Sequence, residues 1–110
     1  NGNLYLNKPS LKSYDVVDIS GSISTETTYT LIDISKNVIC DLNTGIDGQE
    51  KHIFFDKQNN NTCEAIVNIS NIIAGGGNYS RMIFKHSGQS ASLIYIKNKW
   101  RIINTGAIIL

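Results

Sequence analysis

The chain has 110 residues, a net charge of +1, 41% hydrophobic and 17% charged residues, nine Gly and one Pro. A chain of this length buries about two thirds of its unfolded surface, so it can hold a core without metal or disulfide staples. The near-zero charge excludes a long-range field of either sign, and with it phosphate-backbone binding as a main task, so no nucleic-acid partner is expected.

Eighteen Ile and thirteen Asn stand beside few Ala and Leu. β-Branched side chains lose freedom in a helix but fit a pleated sheet, so strands are expected. The chain begins with Asn1, and no basic stretch leads into an apolar run. This predicts a piece of a longer protein without a signal peptide. The longest wholly apolar runs, such as Ile72-Ile73-Ala74 and Ile108-Ile109-Leu110, are far shorter than the roughly 20 residues of a membrane helix, so no membrane insertion is expected.

In chain order, residues 1–13, with their Lys8-Pro9 step, form an extended N-terminal segment or linker remnant. Residues 14–110 form one β-sandwich. Its strands are predicted at Tyr14 to Ile19, Thr28 to Ile34, Val38 to Leu42, Lys51 to Asp56, Cys63 to Ile69, Arg81 to Lys85, Ala91 to Lys97, Trp100 to Asn104 and Gly106 to Leu110. Polar breaks separate them: Ser35-Lys36-Asn37, the Asp47-Gly48 turn, the Asn59-Asn60-Asn61 tract, Gly75-Gly76-Gly77 and the Lys97-Asn98-Lys99 hairpin. No stretch carries a helical stripe over three turns. The expected fold is an all-β, antiparallel, jelly-roll-like sandwich of eight or nine short strands with no long helix. Cys40 and Cys63 read as buried thiols, or as a disulfide if the setting is oxidising.

The last strands are apolar on both faces: Leu93-Ile94-Tyr95-Ile96, Arg101-Ile102-Ile103 and Ala107-Ile108-Ile109-Leu110. A second surface must cover them. Little chain remains to do so, which points to other subunits and makes Ile94, Ile96, Ile103, Ile108 and Leu110 interface candidates.

No catalytic, cofactor-binding or metal-binding set emerges, and neither an enzyme nor a cofactor is expected. Gly88-Gln89-Ser90-Ala91-Ser92 has Ser where a nucleophile elbow needs its second Gly. His52 and His86 have no partners at ligand spacing. Asp41 to Gly48 resembles half a calcium loop but puts Ile46 at the turn and His52 at the closing position, so a hairpin-like loop is the better reading. No Lys-Ser/Thr pair or helix follows Gly75-Gly76-Gly77, as a phosphate cradle requires. Asn60, Asn68 and Asn78 lie in Asn-x-Ser/Thr sequons, with Asn60 and Asn78 the glycosylation candidates and Asn68 inside a predicted strand.

Asp41 to Gln49 form a "leucine, short loop, Asp-Gly-Gln" step before the strand Lys51 to Asp56; an Asn-rich turn, the strand Cys63 to Ile69 and the Gly-rich loop Gly75 to Gly77 follow. The ending is Gly88-Gln89-Ser90-Ala91-Ser92-Leu93-Ile94-Tyr95-Ile96, the turn Lys97-Asn98-Lys99, Trp100-Arg101-Ile102-Ile103 and Thr105-Gly106-Ala107. From Leu42 onward this pattern resembles a small β domain of structural proteins of bacteriophages and large DNA viruses, of the fibre, tail or capsid-decoration type. Asn43 stands where many such domains place Pro. The resemblance implies a non-enzymatic component of the virion surface, assembled in the host cell. It also implies a homotrimer, other capsid or fibre proteins as partners, and loops turned outward to a host receptor or glycan. Trp100 and Tyr95 would then pack in the core or interface, or stack on a sugar. The alternative function is a lectin-like carbohydrate-binding module using Tyr29, Tyr79 or Trp100.

Overall fold

The computed structural model describes residues 11–110; most of the expected N-terminal segment lies outside the described residues. Within them the chain is all β, with ten strands and no helix. In order these are β1 (Tyr14–Val17), β2 (Gly21–Ile23), β3 (Tyr29–Ile34), β4 (Val38–Leu42), β5 (Glu50–Gln58), β6 (Ala65–Ala74), β7 (Gly77–Phe84), β8 (Ser90–Ile96), β9 (Lys99–Thr105) and β10 (Ile108–Ile109).

Strict alternation makes the middle strands. In β4, Val38, Cys40 and Leu42 are buried while Ile39 and Asp41 face out, and β3 buries Thr30, Ile32 and Ile34. Tight turns supply two hairpins. Lys97 and Asn98 have φ of 52° and 65°, and Gly75 and Gly76 have φ of 55° and 87°. Two consecutive left-handed residues twist a hairpin the way its strands twist. Gly-Gly adopts this freely, whereas Lys97 and Asn98 hold it under some strain.

The pairing is mixed, which corrects the antiparallel expectation. β1, β3 and β5 lie side by side in parallel, and so do β2, β4 and β6. β9 also runs parallel to β6, while β5 with β8, β8 with β9, β6 with β7, and β7 with β10 are antiparallel. From β1 to β6 the chain therefore shuttles between two stacks, and successive strands do not pair. Links as short as residues 18–20 and 35–37 suffice, because three extended residues span about 10 Å. Equivalent residues stack from coil to coil: Tyr14 on Tyr29 on His52, and Val17 on Ile32 on Phe55. Accordingly Val16-Val17-Asp18-Ile19-Ser20 and Leu31-Ile32-Asp33-Ile34-Ser35 occupy matching places. The β8-β9 hairpin then joins one stack to the other, giving one nearly closed sheet in the order β1-β3-β5-β8-β9-β6-β4-β2.

Both stacks and the closing strands bury their inner faces in a single apolar cluster. Phe55 and Phe84 meet edge to face with ring centroids 6.3 Å apart. Trp100 is 1% exposed and sets its ring edge-on to Tyr95 at 5.1 Å. Its indole N–H donates to the Asn43 carbonyl at 2.9 Å. The 43–49 connection lies so close that a Cβ on Gly45 would sit 2.9 Å from Trp100 Cζ2. That connection links strands of different stacks, so the hairpin-like reading of it is corrected.

Candidate functional site

Among the described residues Lys51 is the one charged side chain at 0% exposure, beside the equally buried Thr30. It sits on β5 with its side chain inward. Nζ donates to the carbonyls of Ser24 (2.7 Å) and Thr27 (3.0 Å) and to Thr27 Oγ1 (2.8 Å). Asp15 Oδ1 lies 3.6 Å from Nζ and accepts from the hydroxyls of Thr27 (2.7 Å) and Thr30 (2.6 Å). Burial pushes Lys51 below the ordinary lysine value, against the pull of Asp15. Burial also pushes Asp15 up, but the Thr30 and Thr27 hydroxyls and the Lys51 charge outweigh it and hold the carboxyl below its ordinary value. Every donor of the ammonium is thus engaged within the first three coils. Lys51 is a strut tying β1, the 24–28 connection and β5 together.

The outer surfaces differ between the stacks. On the β2-β4-β6 side, register aligns Ile39 of β4 with Ile66 of β6, Ile83 of β7 and Ile108 of β10. Ile39, Ile66 and Ile83 each face outward between two buried neighbours and Ile108 between two half-buried ones; Ile39 and Ile108 are 54% and 41% exposed, Ile66 and Ile83 half-buried. Four isoleucines therefore form one row across four strands, about 14 Å long at the usual strand spacing. Polar rows bound it on both sides. Asp41, Asn68 and Arg81 run along one, where they line a shallow concavity of about 360 Å³ with Asn43, Ser70 and Ser80. Glu64 and Lys85 lie on the other, paired at 3.8 Å. An apolar centre inside a polar rim is the anatomy of a protein–protein contact.

On the β1-β3-β5 side, Tyr14, Tyr29, Leu31 and Phe54 line a concavity of about 310 Å³. Tyr29 stacks on His52 at 5.2 Å and on Phe54 at 6.1 Å. His52 Nδ1 meets Ser92 Oγ at 2.9 Å, and Glu50 lies 3.9 Å from Nε2. This order of Ser, His and Glu evokes a hydrolase triad, but β5 and β8 are each paired along both edges. Most of their backbone N–H groups are thereby engaged in the sheet, whose β8-β9 ladder shifts register between Ser92 and Leu93.

The sequence candidates fall as follows. Ile96, Ile103, Ile108 and Leu110 are exposed and Ile94 is half-buried. No other part of the described chain covers these outer faces. Of the five, the register brings Ile108 into the isoleucine row and pairs Leu110 with Arg81 beside it, whereas Ile94, Ile96 and Ile103 stand on the β8-β9 hairpin. Asn60 is exposed in the 59–64 turn, where its side-chain oxygen accepts from the Thr62 N–H at 2.9 Å; Asn78 is exposed within β7; Asn68 is half-buried in β6. Ser90 opens β8 after a turn that Gln89 closes by accepting from the N–H groups of Lys85 and His86, so it sits at no nucleophile elbow. Trp100 is buried and offers no platform to a sugar, which corrects that expectation. Tyr79 is 37% exposed. Cys40 and Cys63 are buried free thiols. Among the described residues no three metal-ligating side chains cluster, and no helix is long and apolar enough to cross a membrane.

Sequence reasoning missed Ile39, Ile66 and Ile83. Each alternates with buried neighbours, as in any strand with one buried face. The recurring Ile at outward positions was the available signal. No family model matches the chain, and no curated protein matches it.

Proposed function

We propose that this chain is a non-enzymatic structural module that assembles with copies of itself at a virion surface and contributes to host attachment. The reading is carried by the in-register row of Ile39, Ile66, Ile83 and Ile108, an apolar stripe, exposed at Ile39 and Ile108 and half-buried at Ile66 and Ile83, that the described residues leave uncovered. Its setting among capsid, fibre or tail proteins rests on the resemblance of residues 42–110. On this reading the two parallel stacks form the faces of a sandwich-like building block. Native mass spectrometry at micromolar concentration is expected to find a defined oligomer; a single-chain mass at all concentrations would overturn the reading.

A second reading, carbohydrate binding, is favoured by the aromatic concavity of Tyr14, Tyr29 and Phe54. Apolar rings beside polar side chains suit the faces of sugars. On this reading a glycan array gives signals that fall at least tenfold in Tyr29→Ala, while signals that persist in the variant exclude that face.

A further inference from the structure

The isoleucine row has a feature that decides what it fits. Across β6 and β7 the outward residues pair as Glu64 with Lys85, Ile66 with Ile83 and Asn68 with Arg81. A two-fold axis running along the strands midway between β6 and β7 exchanges the members of every such pair. We infer that this face docks against the same face of a second copy about that axis.

Under this operation Ile66 of one copy meets Ile83 of the other, and Ile39 meets Ile108, so the apolar row closes on itself. Glu64 faces Lys85 of the other copy twice over. Asn68 likewise faces Arg81, an amide oxygen opposite a guanidinium. A two-fold axis along the isoleucine row instead would set Arg81 against Lys85, two cations in contact. In its central pairs the surface is thus self-complementary in charge for one two-fold arrangement and repulsive for the other, as an isologous contact requires, while at the end of the row Asp41 faces Leu110. Sheets that pack face to face keep their strands nearly aligned, which this axis preserves. A partner of other chemistry would have to reproduce both the apolar stripe and the alternation of charge that the face already presents to its own copy. The inference rests on the self-assembly reading and goes beyond it by naming the face and the symmetry. It puts pairwise association in place of the threefold assembly that the resemblance implies.

The test uses the charge pair, because both side chains are partly exposed, at 44% and 39%, and their exchange leaves the core untouched. In Glu64→Lys, two copies would bring the introduced ammonium against Lys85 at both contacts. In Lys85→Glu, two copies would bring the introduced carboxylate against Glu64 at both contacts. Each variant alone is expected to dimerise at least tenfold more weakly than the unaltered chain in sedimentation equilibrium. Mixed one to one, they form a heterodimer in which both contacts are again attractive, and near-native affinity returns. Repair of the pair within one chain cannot produce this result, since each variant in the mixture still lacks one partner. Ile39→Glu is expected to abolish association while circular dichroism and thermal midpoint stay close to those of the unaltered chain. If both charge variants associate as the unaltered chain does, this face is not the contact, although self-assembly stands. A threefold mass overturns the two-fold arrangement. A monomer at every concentration overturns self-assembly itself.

Discussion

Trp100→Ala is expected to lower stability by about 3–5 kcal/mol, the range for removing a fully buried large aromatic. The ring is almost wholly enclosed, touches Tyr95 edge-on and closes over Gly45. Its loss empties a site that three segments share: the β8-β9 hairpin, the 43–49 connection and the end of β6, where Trp100 pairs with Ile72. Collapse around the gap is limited because those segments approach from different stacks. Trp100→Phe keeps most of the volume but leaves the Asn43 carbonyl without its donor, so a loss of about 1–3 kcal/mol is expected. Urea unfolding followed by circular dichroism reads both, because the chain's single Trp is the residue removed. Losses under about 1 kcal/mol in both variants would show that Trp100 does not hold the closing hairpin to the stacks.

The second large effect is asymmetric. Asp15→Ala leaves the Lys51 ammonium in the core with only two carbonyls and one hydroxyl. Breaking a buried pair from one side costs about 3–5 kcal/mol; because Asp15 is partly open to water, about 2–4 kcal/mol is expected here. Lys51→Met removes the buried charge itself and keeps apolar length, while Asp15 retains the hydroxyls of Thr27 and Thr30. It also takes the donor from the carbonyls of Ser24 and Thr27, so a smaller loss of about 1–2 kcal/mol is expected. Losses under about 0.5 kcal/mol in both variants would contradict the strut.

Proton linkage gives the same cluster a pH signature. Asp15 has a folded pKa below its ordinary 3.8. Its contribution is therefore complete above that value and is lost as pH falls through the folded pKa. Lys51 has a folded pKa below its ordinary 10.5. The folded state then releases that proton before the unfolded state does, so stability rises as pH climbs from the folded pKa toward 10.5. Asp15→Asn should flatten the acid limb and Lys51→Met the alkaline rise, both measured as urea midpoints against pH.

Strand positions were legible wherever one face is buried. Val38 to Leu42 is recovered with its limits unchanged, because Val38, Cys40 and Leu42 alternate with Ile39 and Asp41. Gly21–Ile23 was missed, being three residues with a Gly and a Ser, too short to show a period. The partnership of strands was not legible. Ser35-Lys36-Asn37 has the composition of a hairpin turn, yet here it carries the chain from one stack to the other. Turn chemistry alone does not distinguish these outcomes, because both need a short polar link. The repeat of Val16 to Ser20 in Leu31 to Ser35 was a sequence trace of stacking, but Ile66 to Ser70 has the same pattern within β6 of the other stack, so the motif marks no period by itself. The burial of Lys51 was not legible because its partners Ser24, Thr27 and Asp15 lie 24 to 36 positions earlier in the chain. The apolar surplus of the last strands did announce outer faces left uncovered. It did not show that Ile39, Ile66 and Ile83, far earlier in the chain, share a row with Ile108, since that follows only from the register.

Intermolecular nuclear Overhauser contacts between isoleucine methyls test the two-fold face most directly, in a sample mixing labelled and unlabelled copies at a concentration where the chain self-associates. Contacts linking Ile66 of one copy to Ile83 of the other, and Ile39 to Ile108, are the predicted result. Contacts confined to Ile94, Ile96 and Ile103 on the β8-β9 hairpin would contradict it.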